Sequence, residues 1–241
     1  MYEKLRGIVL NTVRYNDRSN IVHVFSDVRG RVAFAVPQGK TRGARERNAM
    51  LMPLSLVEME ARFMPGRDLA TMRDLRRTHP LMTIYANPTK NAIAMFVSEL
   101  LSRVIQQQES DMALFRYIEA SVLTLESTQE GFANFHLCFL YHLGAFIGIQ
   151  PNMATYAEGR WFDMEGGVFT ASTTLSKHQL NPDDAQAIRL LSRMTYANMH
   201  RFRFNRKQRD AILDNILAYY RLHHSTLGNL RSPEVLKQLF V

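Results

Sequence analysis

The chain has 241 residues, of which 46% are hydrophobic and 22% charged; that balance excludes wholesale disorder and, at about 100 to 200 residues per domain, bounds the architecture at one or two domains. A formal net charge of +8 favours polyanionic partners. The single cysteine, Cys138, excludes an internal disulfide and any multi-cysteine zinc site, and suits a reducing compartment such as the cytoplasm.

The N-terminal run Met1-Tyr2-Glu3-Lys4-Leu5-Arg6 carries charge where a secretory signal needs an apolar core, so export is not expected. Short apolar runs follow: Ile8-Val9-Leu10 leading into Thr12-Val13, then Ile21 to Phe25, Arg31 to Val36, Leu54 to Met59 and Leu69 to Leu75. They predict five strands. In the third, Val32, Phe34 and Val36 fall on one face and Arg31, Ala33 and Ala35 on the other, the period of two of a half-buried strand. Asn16-Asp17, Asp27 with Gly30, and Pro65-Gly66 supply turn chemistry between them. Five strands with a long loop between the third and fourth suit a small OB-type barrel, with an SH3-like barrel as the alternative.

Near Arg77-Thr78-His79-Pro80 the alternation gives way to helical periodicity, which places a domain boundary there, 1–80 against 81–241. The charge divides at the same point. Residues 1–80 hold 15 Lys+Arg against 8 Asp+Glu, an excess of +7, and the remainder 15 against 14, so the basic excess belongs to the barrel.

Beyond Asn87, the stripe Ile93, Phe96, Val97, Leu100, Leu101, Val104 and the stripe Leu114, Tyr117, Ile118, Leu125 predict two amphipathic helices. Phe132 to Ile147 is apolar nearly all round and reads as the central buried helix. The longer apolar stretch Phe132 to Ile149, interrupted by Asn134, His136 and His142, is too short and too polar for a membrane span. Its Gly144 and Gly148 form a GxxxG spacing that predicts close approach of a neighbouring helix. Trp161-Phe162 and Val168-Phe169-Thr170, flanking Gly166-Gly167, predict a small hairpin within 156–172. Helices resume at Asn181-Pro182, at Asp210 and at Ser232-Pro233-Glu234.

Several motifs resolve into structure rather than chemistry. Gly39-Lys40-Thr41 imitates the end of a phosphate-binding P-loop, but the glycine required five residues earlier is Phe34. Asp183 and Asp184 suit a helix first turn better than acid–base catalysis. Cys138 lies in an apolar run that would hold it inert. His136 and His142 are six apart and His223 and His224 adjacent, neither being a ligand spacing, so no metal is expected.

Two basic constellations carry functional weight. The first is Gly39 to Arg47, read as a glycine-punctuated loop bearing Lys40, Arg42, Arg45 and Arg47, with Arg29 and Arg31 before it; flexible cations on a basic barrel point to nucleic-acid phosphates. The second, Arg201-Phe202-Arg203-Phe204-Asn205-Arg206-Lys207-Gln208-Arg209, interleaves cations and aromatics as single-strand binders do, or is a linker with buried phenylalanines. A different reading of the barrel is a protein-interaction adaptor that binds an acidic protein. A hydrolase would need a convergent acidic or nucleophilic cluster, and none is visible.

Arg6-Gly7-Ile8-Val9-Leu10, Gly39-Lys40-Thr41-Arg42-Gly43, Met52-Pro53-Leu54 and Leu230 to Leu236, in that order and spacing, resemble the RecO recombination mediator family over the whole chain. The resemblance implies an α+β multidomain chain, a five-stranded OB-fold barrel followed by a mainly helical domain with a small hairpin insertion. It implies a non-enzymatic, cytoplasmic and nucleoid-associated protein without a cofactor. Such a protein binds single- and double-stranded DNA, anneals complementary strands and works with RecR and the single-stranded DNA-binding protein SSB to load RecA. It further implies that the helical domain receives the acidic, phenylalanine-ended SSB tail, for which Arg201, Arg203 and Arg206 are the candidates. Many members carry a cysteine zinc module beside the hairpin; those cysteines are absent here, so Trp161 and Phe169 are expected to hold the hairpin by packing.

Overall fold

The computed structural model describes residues 2–106 and 109–239. Five strands, β1 (Glu3–Arg14), β2 (Ser19–Ser26), β3 (Gly30–Pro37), β4 (Leu56–Arg62) and β5 (Leu69–Arg77), close into a barrel of order β1-β2-β3-β5-β4. Only the β3–β5 seam is parallel, and its pairing is confined to Ala33 with Leu69 and Phe34 with Ala70. Val32, Phe34 and Val36 of β3 face the interior with Leu5, Val9, Val24 and Met59, as the alternation predicts. In β1 the register with β2 shifts between Val9 and Asn11. Val9 and Leu10 at this bulge are both buried: Val9 joins the barrel core, and the Leu10 carbonyl accepts from the Ser98 hydroxyl.

The stretch read as a loop between the third and fourth strands is largely a helix, α1 (Arg42–Met50). Thr41 caps it by accepting from the Ala44 amide at 3.3 Å, a local signal that the glycines and arginines around it masked. Ala44 is buried, and Leu51 just beyond the helix joins the barrel core. Arg77 donates to the Ala49 carbonyl, and the Arg47 guanidinium to the Pro37 carbonyl at 2.6 Å. The helix is thereby fixed to the strands on both sides of it.

By packing, the chain divides into two compact units, Met1–Ser127 and Thr128–Val241, so the first three helices after Pro80 belong to the same unit as the barrel. They are α2 (Met82–Ala86), α3 (Pro88–Val104) and α4 (Met112–Ser127). They cover one outer face of the barrel, with Phe115 of α4 6.0 Å from Phe25 of β2. Arg31 marks where this cover ends: its guanidinium donates to the carbonyls of Ser102 and Ile105, at 2.8 and 3.0 Å, and so satisfies orphan acceptors at the C-terminus of α3.

The second unit is built around α5 (Phe135–Phe146), in which Leu137, Cys138, Phe139, Leu140 and Leu143 are fully buried. The GxxxG reading is corrected. Gly148 lies beyond the helix at φ +76°, where the Ile149 amide bonds the Gly144 carbonyl at 2.9 Å; the left-handed residue terminates α5, and the space beside Gly144 is filled by the returning backbone of Gln150.

The hairpin forms between β6 (Trp161–Asp163) and β7 (Val168–Thr170), and a further short strand, β8 (Gln179–Leu180), makes a sheet of order β7-β6-β8. Its packing residue is Phe162 rather than Trp161. Phe162 and Phe169 are register partners and so share the inward face, with rings 4.9 Å apart and Tyr219 5.6 Å from Phe162. Trp161 points the other way and is half-buried. Gly167 closes the turn at φ +64°, where a Cβ would stand 2.9 Å from the Tyr219 hydroxyl.

Helix α6 (Pro182–Arg193) starts as predicted, with Asn181 accepting from the Asp184 amide at 2.9 Å. Helix α7 (Arg206–His223) starts four residues before the expected Asp210, because Asn205 and Gln208 form a reciprocal capping box. Helix α8 (Ser232–Leu239) follows. Among the described residues no helix is long and apolar enough to cross a membrane.

Candidate nucleic-acid interface

OB-type barrels bind oligonucleotides on the face of β2 and β3, between the β1–β2 and β4–β5 connections. Here β3 spans eight residues, about 24 Å at the rise of an extended strand, and cations gather at both ends of it.

At the far end, Tyr15 of the β1–β2 turn is 62% exposed, and Arg18 beside it is exposed without a side-chain partner among the described residues. Gln38 ties this turn to the chain entering α1: its amide donates to the Arg18 carbonyl at 2.8 Å, and its side chain to Asn20 Oδ1 at 2.6 Å. Lys40, Arg42 and Arg45 follow, all exposed. Arg42 pairs with Glu46 at 2.9 Å. The first turn of α1 holds no acidic residue. Cations there oppose the helix dipole and weaken the helix slightly, while together with the free amides they complement an external anion.

At the near end, His23, Arg29, Arg31, Phe63, Arg67 and Asp68 line a cleft of about 450 Å³ floored by Ala33 and Ala70. Arg29 sits 4.9 Å over the Phe63 ring and is held by Glu3 at 2.8 Å. Arg67 is exposed; its amide bonds the Met64 carbonyl at 3.1 Å, and its guanidinium has no partner among the described residues. Burial, and then the Arg31 charge, lower the His23 pKa below its ordinary value, which leaves a neutral imidazole beside the arginines at pH 7.

The six barrel cations expected from the sequence therefore separate into two groups. Lys40 and Arg45 at one end are exposed; Arg42 beside them and Arg29 at the other end are exposed but ion-paired, with Glu46 and Glu3, whereas Arg31 and Arg47 spend guanidinium donors on backbone carbonyls. Tyr15, Arg18, Phe63 and Arg67 escaped the sequence reading. The signal for them was positional, since each lies in a strand connection of the expected barrel.

In the second unit Arg201 and Arg203 are exposed, and Arg206 lies 3.9 Å from Asp210. Phe202 and Phe204 are half-buried, 6.3 Å apart, on a segment pinned by Asn134, which donates to the Met199 and Phe202 carbonyls at 3.0 and 2.6 Å. The alternation thus resolves into outward arginines and anchoring aromatics. A separate apolar cavity of about 40 Å³, lined by Leu140, Ile149, Phe162, Leu180, Ile188 and Leu191 among others, has none of the three arginines in its wall. Cys138 is buried, and burial pushes its thiol up to about 12.

The model of a family described as "Recombination protein O N terminal" matches residues 1–80, and that of "Recombination protein O C terminal" matches residues 85–232. The chain belongs to the RecO family. Curated relatives called DNA repair protein RecO include that of Bacteroides fragilis, 38% identical over 241 residues and the whole of both chains. That of Phocaeicola vulgatus is 38% identical over 240 residues, again covering both chains fully, and that of Porphyromonas gingivalis is 32% identical over 239 residues, 98% of each. The RecO N-terminal match coincides with the barrel, and the C-terminal match takes in the helices after Pro80 and the small sheet.

Proposed function

We propose that this RecO-family chain acts in DNA repair and recombination as a non-catalytic mediator that binds single- and double-stranded DNA and anneals complementary strands. Residues 1–80 take the DNA, and residues 81–241 take protein partners. The observation that carries the reading is the pair of cation clusters at the two ends of the β2–β3 face, Lys40, Arg42 and Arg45 at one and Arg29 and Arg67 at the other. Two complementary strands repel each other through their phosphates. A surface that releases counterions from both lets bases meet without any covalent step, so neither cofactor nor nucleophile is required.

Salt dependence tests this. Converting Lys40, Arg42 and Arg45 to alanine is expected to flatten the slope of log affinity against log salt by about 2 on single strands, at about 0.7 per phosphate contact. The strand-annealing rate should fall in parallel. An unchanged slope removes α1 from the interface, and no binding of oligonucleotides at low salt favours the acidic-protein adaptor.

The protein side of the proposal places RecR, SSB and the loading of RecA with the helical part, in a cytoplasmic, nucleoid-associated setting. Outward Arg201, Arg203 and Arg206 offer charge-assisted contacts to an acidic tail such as that of SSB. Replacing all three with alanine is expected to weaken an acidic, phenylalanine-ended peptide about tenfold by fluorescence anisotropy; equal affinity for both proteins would exclude these side chains.

A further inference from the structure

The near-end cleft differs from the rest of the interface in having walls. Its pairing with β5 starts only at Ala33 and Leu69, so the first residues of β3 face the β4–β5 connection across open space rather than across a strand partner. Its volume of about 450 Å³ lies within the range of small-molecule sites. Three of its lining side chains are arginines and one, Asp68, is a carboxylate, so the cleft favours an anionic occupant.

Two of these side chains form a built platform. Phe63 packs against the barrel core on one side and carries the Arg29 guanidinium 4.9 Å from its centroid. Glu3 holds that guanidinium at 2.8 Å. A planar cation fixed over an aromatic ring presents its free plane at low entropic cost, and nucleobases stack on such planes. Arg67, exposed at the mouth and unpaired among the described residues, stands ready for a phosphate. A base can reach the platform only if it is unstacked and unpaired, because in a duplex both of its faces are covered by neighbours.

Resting on the reading of the barrel as a DNA-binding surface, we infer that this cleft takes one unpaired nucleotide, its base stacked on the Arg29 guanidinium backed by Phe63 and its phosphate met by Arg67. The cleft is therefore the element that distinguishes a single strand from a duplex. Lys40, Arg42 and Arg45 contribute charge to both forms alike.

The test titrates the full chain with a short oligonucleotide carrying one 2-aminopurine, as a single strand and as the duplex of the same sequence. Arg29→Lys keeps the charge and removes the plane; Phe63→Leu keeps the apolar contact with the core and removes the ring. Each is expected to lose about tenfold in single-strand affinity, with duplex affinity within about twofold and the salt slope unchanged, since stacking releases no counterions. The change in 2-aminopurine emission on binding should shrink in both variants. Arg67→Gln should instead weaken both forms and flatten the single-strand slope by about 0.7. Equal losses on single strand and duplex, or no loss from Arg29→Lys while the wild type binds, would overturn the cleft alone; failure of the wild type to bind either form would overturn the DNA reading with it.

Discussion

Replacing Phe162 with alanine is expected to destabilise the second unit by about 3 to 5 kcal/mol, the cost of truncating a buried phenylalanine and leaving the space unfilled. Phe162 is 1% exposed and joins three elements: its ring meets those of Phe169 of β7 and Tyr219 of α7, and its backbone pairs with Leu180 of β8. The strands themselves are two and three residues long, far too short to stand alone in water. The family resemblance implies a cysteine zinc module beside this hairpin in many members; among the described residues here there is no group of three or more His, Cys, Asp or Glu able to hold a metal. Burial of Phe162 is therefore expected to be a main source of stability for this sheet. Urea denaturation followed by far-UV circular dichroism should show a large drop in midpoint for Phe162→Ala, a smaller one for half-buried Trp161→Ala, and none for the wild type on adding a chelator. A midpoint that falls with the chelator, or a larger loss at Trp161, would refute this account of the sheet.

The sequence made the barrel legible because its signals are local and redundant. Strict alternation through Val32, Phe34 and Val36, and turn residues at Asn16-Asp17 and Pro65-Gly66, each act within a few positions. The same holds for the Asn181-Pro182 helix start. What it hid follows from competition between local signals. Gly39, Gly43 and four cations read as loop, yet one threonine cap and two buried contacts, Ala44 and Leu51, suffice to hold α1 against the strands. Likewise the sequence reading starts this helix at Asp210, while the reciprocal Asn205–Gln208 bonds start α7 at Arg206.

The candidate site was half legible for a related reason. A run such as Lys40 to Arg47 announces charge in one dimension, but whether each guanidinium faces solvent depends on carbonyls elsewhere. Arg47 turns to Pro37 and Arg31 to the end of α3, 71 residues away in sequence. The cleft depends on residues far apart in the chain, Glu3, Arg29, Phe63 and Arg67, none of which stands in a conspicuous motif. Register brings them together: Glu3 pairs with Ala61, which sets the start of β1 beside the β4–β5 connection. From composition alone the excess of charge was assigned correctly to the first 80 residues, but not its division between the two ends of β3.

Acidification is expected to remove about 3 kcal/mol of stability between pH 7 and pH 4.5 through one side chain, His136. This imidazole lies in α5 at 1% exposure; burial, and secondarily the Arg209 charge from α7, push its pKa down to about 3. In the unfolded chain the value returns to about 6.5. Above that pH both states hold a neutral ring and His136 contributes no pH dependence. Below it the unfolded chain takes up a proton that the folded chain refuses, so stability falls by about 1.4 kcal/mol per pH unit until the folded ring itself protonates near pH 3. His224 is shifted the same way, by burial first and then by His223, so the total acid loss exceeds that of His136 alone. The readout is therefore a difference. Chemical denaturation at pH 7 and pH 4.5 should show that His136→Gln, whatever its cost at pH 7, loses about 3 kcal/mol less on acidification than the wild type. Parallel acid losses in the two proteins would mean that His136 titrates normally, and that water reaches a core which the packing of α5 describes as dry.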